Sequence, residues 1–187
     1  VKILLSLLLV AVPALAAAQD ATSYRVMATN KTSTMQKEMQ EAGENGFRFA
    51  TVMGGETSFG GKEVVVLMQK TASGTGRFEY RLLATTKTST MQKELQEAAD
   101  AGFEYVGQTV FESLFGGKEV ACILERDASN ASPSKWEYKL LATKRTSTLQ
   151  KELQEVGGQG FQTLGMTVAE TGIGGAELIV ITRRKRP

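Results

Sequence analysis

Hydrophobic residues in this chain switch between two periods, and the switch is made three times. Phe78, Tyr80, Leu82 and Ala84 lie two apart, as do Trp136, Tyr138, Leu140 and Ala142, the spacing of one face of a β-strand. After the corresponding strand of the first unit, Met35, Met39 and Ala42 recur at helical spacing, with Lys37, Glu38, Gln40 and Glu41 on the wetter sides. An amphipathic helix is therefore expected. Ser33 stands three residues before Gln36, Ser89 before Gln92 and Ser147 before Gln150, which predicts a reciprocal capping box at each helix start. Gly46, Gly102 and Gly160 precede Phe47, Phe103 and Phe161. They predict a left-handed helix stop, the aromatic residue folding back on Ala42, Ala98 and Val156.

Each unit continues with a looser strand, then FGGKE or IGGAE, then an apolar run such as VVVLM. Paired glycines between strand-like runs predict a two-residue hairpin turn. A strand that is apolar at successive positions must be covered on both faces. The closing strand is therefore placed centrally, in the antiparallel order 2-3-1.

The units open at Tyr24, Tyr80 and Tyr138, close at Lys70, Arg126 and Arg184, and align without a gap over 47 residues. Their offsets are 56 and 58 residues, and the extra two fall in the second linker. The domain organisation read from this is module 1 within 19–70, module 2 at 80–126 and module 3 at 138–184, joined by Gly/Ser/Asn/Pro-containing linkers at 71–79 and 127–137. The expected class is α+β: three tandem β-α-β-β modules, each an antiparallel three-stranded sheet with one helix, packed together. A unit this short hardly shelters its own core. Packing about a rough threefold axis with helices outward is the simplest arrangement expected.

The motif YKLLATKRTSTLQKELQEVGGQGF, followed by a glycine turn and AELIVITRR, resembles a small bacterial family of β-α-β-β domains of unknown function. The resemblance covers all three modules and implies the fold. It brings no activity, cofactor or functional residue with it.

Composition narrows the function classes. Residues 1–18 carry Lys2, an apolar run from Ile3 to Val12, Pro13 and small residues at Ala14, Ala16 and Ala18. That is the layout of a signal peptide cleaved after Ala16 or Ala18, and the run is too short to span a bilayer. A periplasmic or secreted protein without a transmembrane segment is expected. With 22 Lys+Arg against 20 Asp+Glu, the chain has no general pull toward nucleic acid, and the basic ending TRRKRP reads as a solvated tail. The one cysteine, Cys122, aligns with Val66 and Val180 and reads as a small buried hydrophobe.

The chain has no histidine, so Ser-His and Cys-His nucleophiles and His-based metal sites are excluded. No cofactor is expected. The glycines of GETSFGGKE lack the lysine and following helix of a phosphate loop. Two surface constellations are candidates. Glu56 with Glu63, Glu112 with Glu119, and Glu170 with Glu177 flank the hairpins. Around a two-residue turn each pair would lie diagonally on one face, roughly 7 Å apart, as a calcium site or a carboxylate pair requires. The helices repeat Gln36, Lys37, Gln40 and Glu41 as Gln92, Lys93, Gln96 and Glu97, and as Gln150, Lys151, Gln154 and Glu155. They are candidates for a recognition surface. The favoured function is a non-enzymatic repeat protein that binds or scaffolds a protein or another envelope component. The competing one is a carboxylate-dependent enzyme or small-molecule sensor with a site between modules.

Overall fold

The structure, a computed structural model, describes residues 21–187 except 58–60, 73, 113–117, 134, 171–174 and 187. The leader at 1–18 and most of the hairpin glycines lie outside the described residues. The elements are β1 (Thr22–Thr29), α1 (Thr32–Glu44), β2 (Arg48–Thr57) and β3 (Gly61–Thr71), then β4 (Phe78–Thr85), α2 (Thr88–Asp100), β5 (Glu104–Glu112) and β6 (Lys118–Asp127), and finally β7 (Trp136–Thr143), α3 (Thr146–Gly158), β8 (Gln162–Glu170) and β9 (Ala176–Lys185). The chain is an α+β protein of three repeated modules. Each sheet is antiparallel with its last strand central, in the orders β1-β3-β2, β4-β6-β5 and β7-β9-β8. No helix among the described residues is long and apolar enough to cross a membrane.

Helix ends form as the glycine pattern predicts. Gly46, Gly102 and Gly160 take φ of 82°, 85° and 83°, and the N–H of Phe47, Phe103 and Phe161 donates back to the carbonyls of Ala42, Ala98 and Val156. Lys70, Arg126 and Arg184, which close the modules, donate to the terminal helix carbonyls of Asn45, Ala101 and Gln159. Basic groups there suit the negative end of the helix dipole.

Helix starts differ from expectation. Lys31, Lys87 and Arg145 are the N-caps and none makes a side-chain cap bond. Each helix begins at the threonine before the serine, so Ser33, Ser89 and Ser147 lie inside the first turn and no capping box forms, even at α3. Gln36 and Gln92 bond the next module instead.

The modules form a row. In each sheet, one face packs under the module's own helix: Val64, Val66 and Met68 meet Met35, Met39 and Ala42. The same core takes Tyr80, Ala121 and Ile123 from the back face of module 2. The core above α2 likewise takes Tyr138, Ile179 and Ile181 from module 3. Thus α1 packs against β4, and α2 against β7. The extensive contacts join module 1 to 2 and module 2 to 3, and among the described residues none of that extent joins module 1 to 3. The outward helices and the threefold closure are therefore replaced by a stack in which α1 and α2 are covered on both sides. The physical reason is that two flanks of the same helix find partners. Its apolar stripe faces its own sheet, and its glutamines reach the next one.

Candidate functional site

The glutamines of α1 and α2 join each helix to an edge strand of the next module. Gln36 donates from Nε2 to the Tyr80 carbonyl and accepts the Leu82 N–H at Oε1, both at 2.5 Å. Gln40 accepts the Tyr80 N–H at 3.0 Å. One seam further, Gln92 bonds the Tyr138 carbonyl and the Leu140 N–H at 2.9 and 2.7 Å, and Gln96 bonds the Trp136 carbonyl and the Tyr138 N–H at 3.1 Å each. β4 and β7 are edge strands, whose outward backbone groups would otherwise remain unpaired. The side-chain amides stand in for a missing strand.

Gln92→Ala should cost about 2 kcal/mol, because two backbone groups in a half-buried seam lose their partner. Gln150→Ala on the exposed equivalent should cost about nothing. Urea unfolding of the two variants checks the contrast.

A tyrosine locks each seam. The Tyr80 hydroxyl accepts the Phe49 N–H at 2.8 Å and donates to Glu125 Oε2 at 2.7 Å. Tyr138 accepts the Tyr105 N–H at 2.8 Å. Phe49 and Tyr105 border the register shifts of β2 and β5, where a bulge frees an N–H from the ladder. Burial, reinforced by the Glu125 charge, pushes the Tyr80 phenol above its ordinary range, and burial raises Tyr138 likewise.

Beside each tyrosine lies an ion pair, with its polarity reversed between seams. Arg48 of module 1 meets the buried Glu125 of module 2 at 2.7 Å, and that bond holds the guanidinium above its usual pKa. At the second seam, aligned Glu104 of module 2 meets Arg183 of module 3 at 3.2 Å, and Arg183 lies 4.0 Å over the Trp136 ring. Neither charge pair follows from the local patterns of the sequence. The signal was present in the alignment, as opposite signs at 48 and 104 matched by opposite signs at 125 and 183.

The paired glutamates are not brought together. Glu56 faces Lys62 and Glu63 faces Gly55 across the hairpin, so Glu56 and Glu63 occupy opposite faces. Glu112 faces Lys118 and Glu119 faces Phe111. The third hairpin repeats the register, with Glu170 opposite Ala176 and Glu177 opposite Ala169. Thr57 pairs with Gly61 before the turn, so the hairpin is longer than the two-residue turn expected, and an odd shift of register inverts the faces. Glu112 instead pairs with Lys62 across the first seam, which holds its carboxyl below the usual range. Among the described residues no group of three acidic, cysteine or histidine side chains could hold a metal ion.

Of the other helix positions, Lys37, Glu41, Lys93, Glu97, Lys151 and Glu155 are exposed, with Lys93 and Glu97 paired along their helix. Cys122 is fully buried in the second core, and burial raises its thiol pKa. It is inert packing.

At the two ends of the row the seam residues have no module to meet. Tyr24 and Val26 on the back face of sheet 1 are 63% and 65% exposed, whereas Tyr80 and Tyr138 are 2% exposed. Met53 on the same face, and Met166 and Val168 at the far end, complete the set of exposed large hydrophobic residues among the described residues. Gln150, Gln154 and Gly157 on α3 are exposed.

No family model, curated protein or solved structure matches the chain.

Proposed function

We propose that this is an exported, non-enzymatic repeat protein that acts as a binding or scaffolding module of the cell envelope, and that it binds through the two ends of its stack. One observation carries the reading: the large exposed hydrophobic residues among those described lie on the back face of sheet 1 (Tyr24, Val26, Met53) and the helix-side face of sheet 3 (Met166 and Val168, the latter also bordering the hairpin cleft), at positions that are binding surfaces wherever a neighbouring module exists. Exposed apolar side chains gathered on one surface mark interaction sites. The signal-peptide pattern of residues 1–18 supports export. The cleft lined by the hairpins of modules 1 and 2 and by Val168 of module 3 mixes Lys62 and Lys118 with Glu56, Glu63 and Glu112. Glu112 is engaged by Lys62 and the described acids form no metal-binding group, so the enzyme or sensor reading is not preferred.

The test is capture of envelope components on the immobilised chain, compared with Val26→Lys and Gly157→Trp chains altered at one end each. Partners lost with either end support the reading. Partners held equally by all three chains would overturn it.

A further inference from the structure

We propose that the two ends are complementary and that copies of this chain dock head to tail, the α3 end of one receiving the β1 end of another. The proposal rests on the reading above and names the occupant. Its basis is continuity with a seam that the molecule has already formed twice. Each internal seam pairs the helix side of one module with the back face of the next, and the two ends are the remaining helix side and the remaining back face.

The backbone half of the seam is present in full. Gln150 and Gln154 align with Gln36 and Gln40, and both are exposed. Tyr24 and Val26 align with Tyr80 and Leu82 on an edge strand with the same order and pairing. The N–H of Thr163 borders the third bulge and corresponds to those of Phe49 and Tyr105. The Tyr24 hydroxyl is the acceptor it would find. Gly43 sits so close to the next module that a Cβ would lie 2.1 Å from the Phe78 carbonyl oxygen, while at Gly157 nothing lies within 4 Å. The slot is there and open.

Side-chain matching selects these two ends for each other. At the internal seams an aromatic residue lies over a glycine: a Cβ on Gly107 would be 2.7 Å from the Phe49 ring, and one on Gly165 would be 2.1 Å from the Tyr105 hydroxyl. The corresponding pair across the ends is Thr163 over Thr51. A shorter residue above allows a larger one below, and Thr51 could not sit under Phe49 or Tyr105. The ion-pair positions, Arg48 with Glu125 and Glu104 with Arg183, become Gln162 with Gln69, two neutral amides able to bond in either direction. Where Gly54 crowds Thr109, the ends set exposed Val168 against exposed Met53, an apolar pair. Size, charge and polarity therefore change together on the two faces.

A head-to-tail contact uses different surfaces on the two partners and generates a filament or a closed ring. Without a linker it lacks the high effective concentration of the internal seams, so assembly is concentration-dependent.

Sedimentation velocity of the purified chain over a wide concentration range tests this. The wild-type mass should rise past the dimer. Val26→Lys, which spoils the β1 end, and Gly157→Trp, which fills the α3 slot, should each stay monomeric, since both sites are exposed and leave the folded monomer intact by circular dichroism. An equimolar mixture should form dimers and stop there, because each variant keeps one sound end. Monomeric wild type throughout, or association unaffected by either change, or a mixture that stays monomeric, would overturn the proposal. If wild type is monomeric yet both variants lose captured envelope partners, self-docking falls and the binding-end reading stands. If capture is unaffected too, both fall.

Discussion

Gly43→Leu is expected to destabilise the protein by about 3 kcal/mol or more, while Gly157→Leu at the equivalent place is expected to be neutral or stabilising by up to about 1 kcal/mol. Both glycines lie in the last turn of a helix and align in the repeat, so helix propensity favours leucine at each. The difference comes from what crosses above. At Gly43 even a Cβ would meet the Phe78 carbonyl oxygen at 2.1 Å and the Tyr80 ring at 2.8 Å. Backbone cannot yield as a flexible side chain does, so α1 and β4 would have to separate, exposing Tyr80 and breaking the Gln36 and Gln40 bonds. Module 2 holds Ala99 at this position, 4% exposed, so the slot accepts a methyl only where the crossing strand lies farther away. Urea unfolding followed by far-UV circular dichroism measures both values. Equal effects at the two sites would show that the seam is not what confines Gly43.

Reversing the first ion pair provides the second large effect. Glu125→Arg should cost about 3 kcal/mol, since it removes the partner of a buried hydroxyl and sets two guanidinium groups together. The cost stays well below that of a fully buried clash because the Arg48 side chain is 63% exposed and water screens it. Adding Arg48→Glu should recover more than half of the loss, because the protein already has that polarity at its second seam, where Glu104 meets Arg183 beside Tyr138. A double-mutant cycle in thermal or urea unfolding isolates the coupling. No recovery in the double variant would mean that Tyr80, rather than the charge pair, accounts for the loss.

The repeat was readable because it is local. Strand alternation, the helix stripe and the glycine stops each arise within a few residues and recur in register, so the β-α-β-β module and its central closing strand follow from pattern alone. The Ser33/Gln36 spacing suits a capping box that the helix does not form. The helices begin earlier than that spacing requires, which takes Ser33, Ser89 and Ser147 off the N-cap, and the amide of Gln36 then serves a strand 44 residues away because an unpaired edge lies within its reach. The Glu56/Glu63 pair failed similarly, because alternating side chains change face with every odd shift of register, and the shift depends on a turn whose length no single motif states.

Local periodicity, then, settled the secondary structure, the strand order within each sheet and the need for outside cover on a small unit. The arrangement of the modules in a row, the use of Gln36 and Gln92 as strand substitutes, and the exposure of Tyr24 where Tyr80 and Tyr138 are buried were decided by tertiary packing. Those features are relations between surfaces far apart in the chain. Three nearly identical tyrosines differ only in whether a neighbour stands over them, and that is a property of position in the stack rather than of the residue or its flanking sequence.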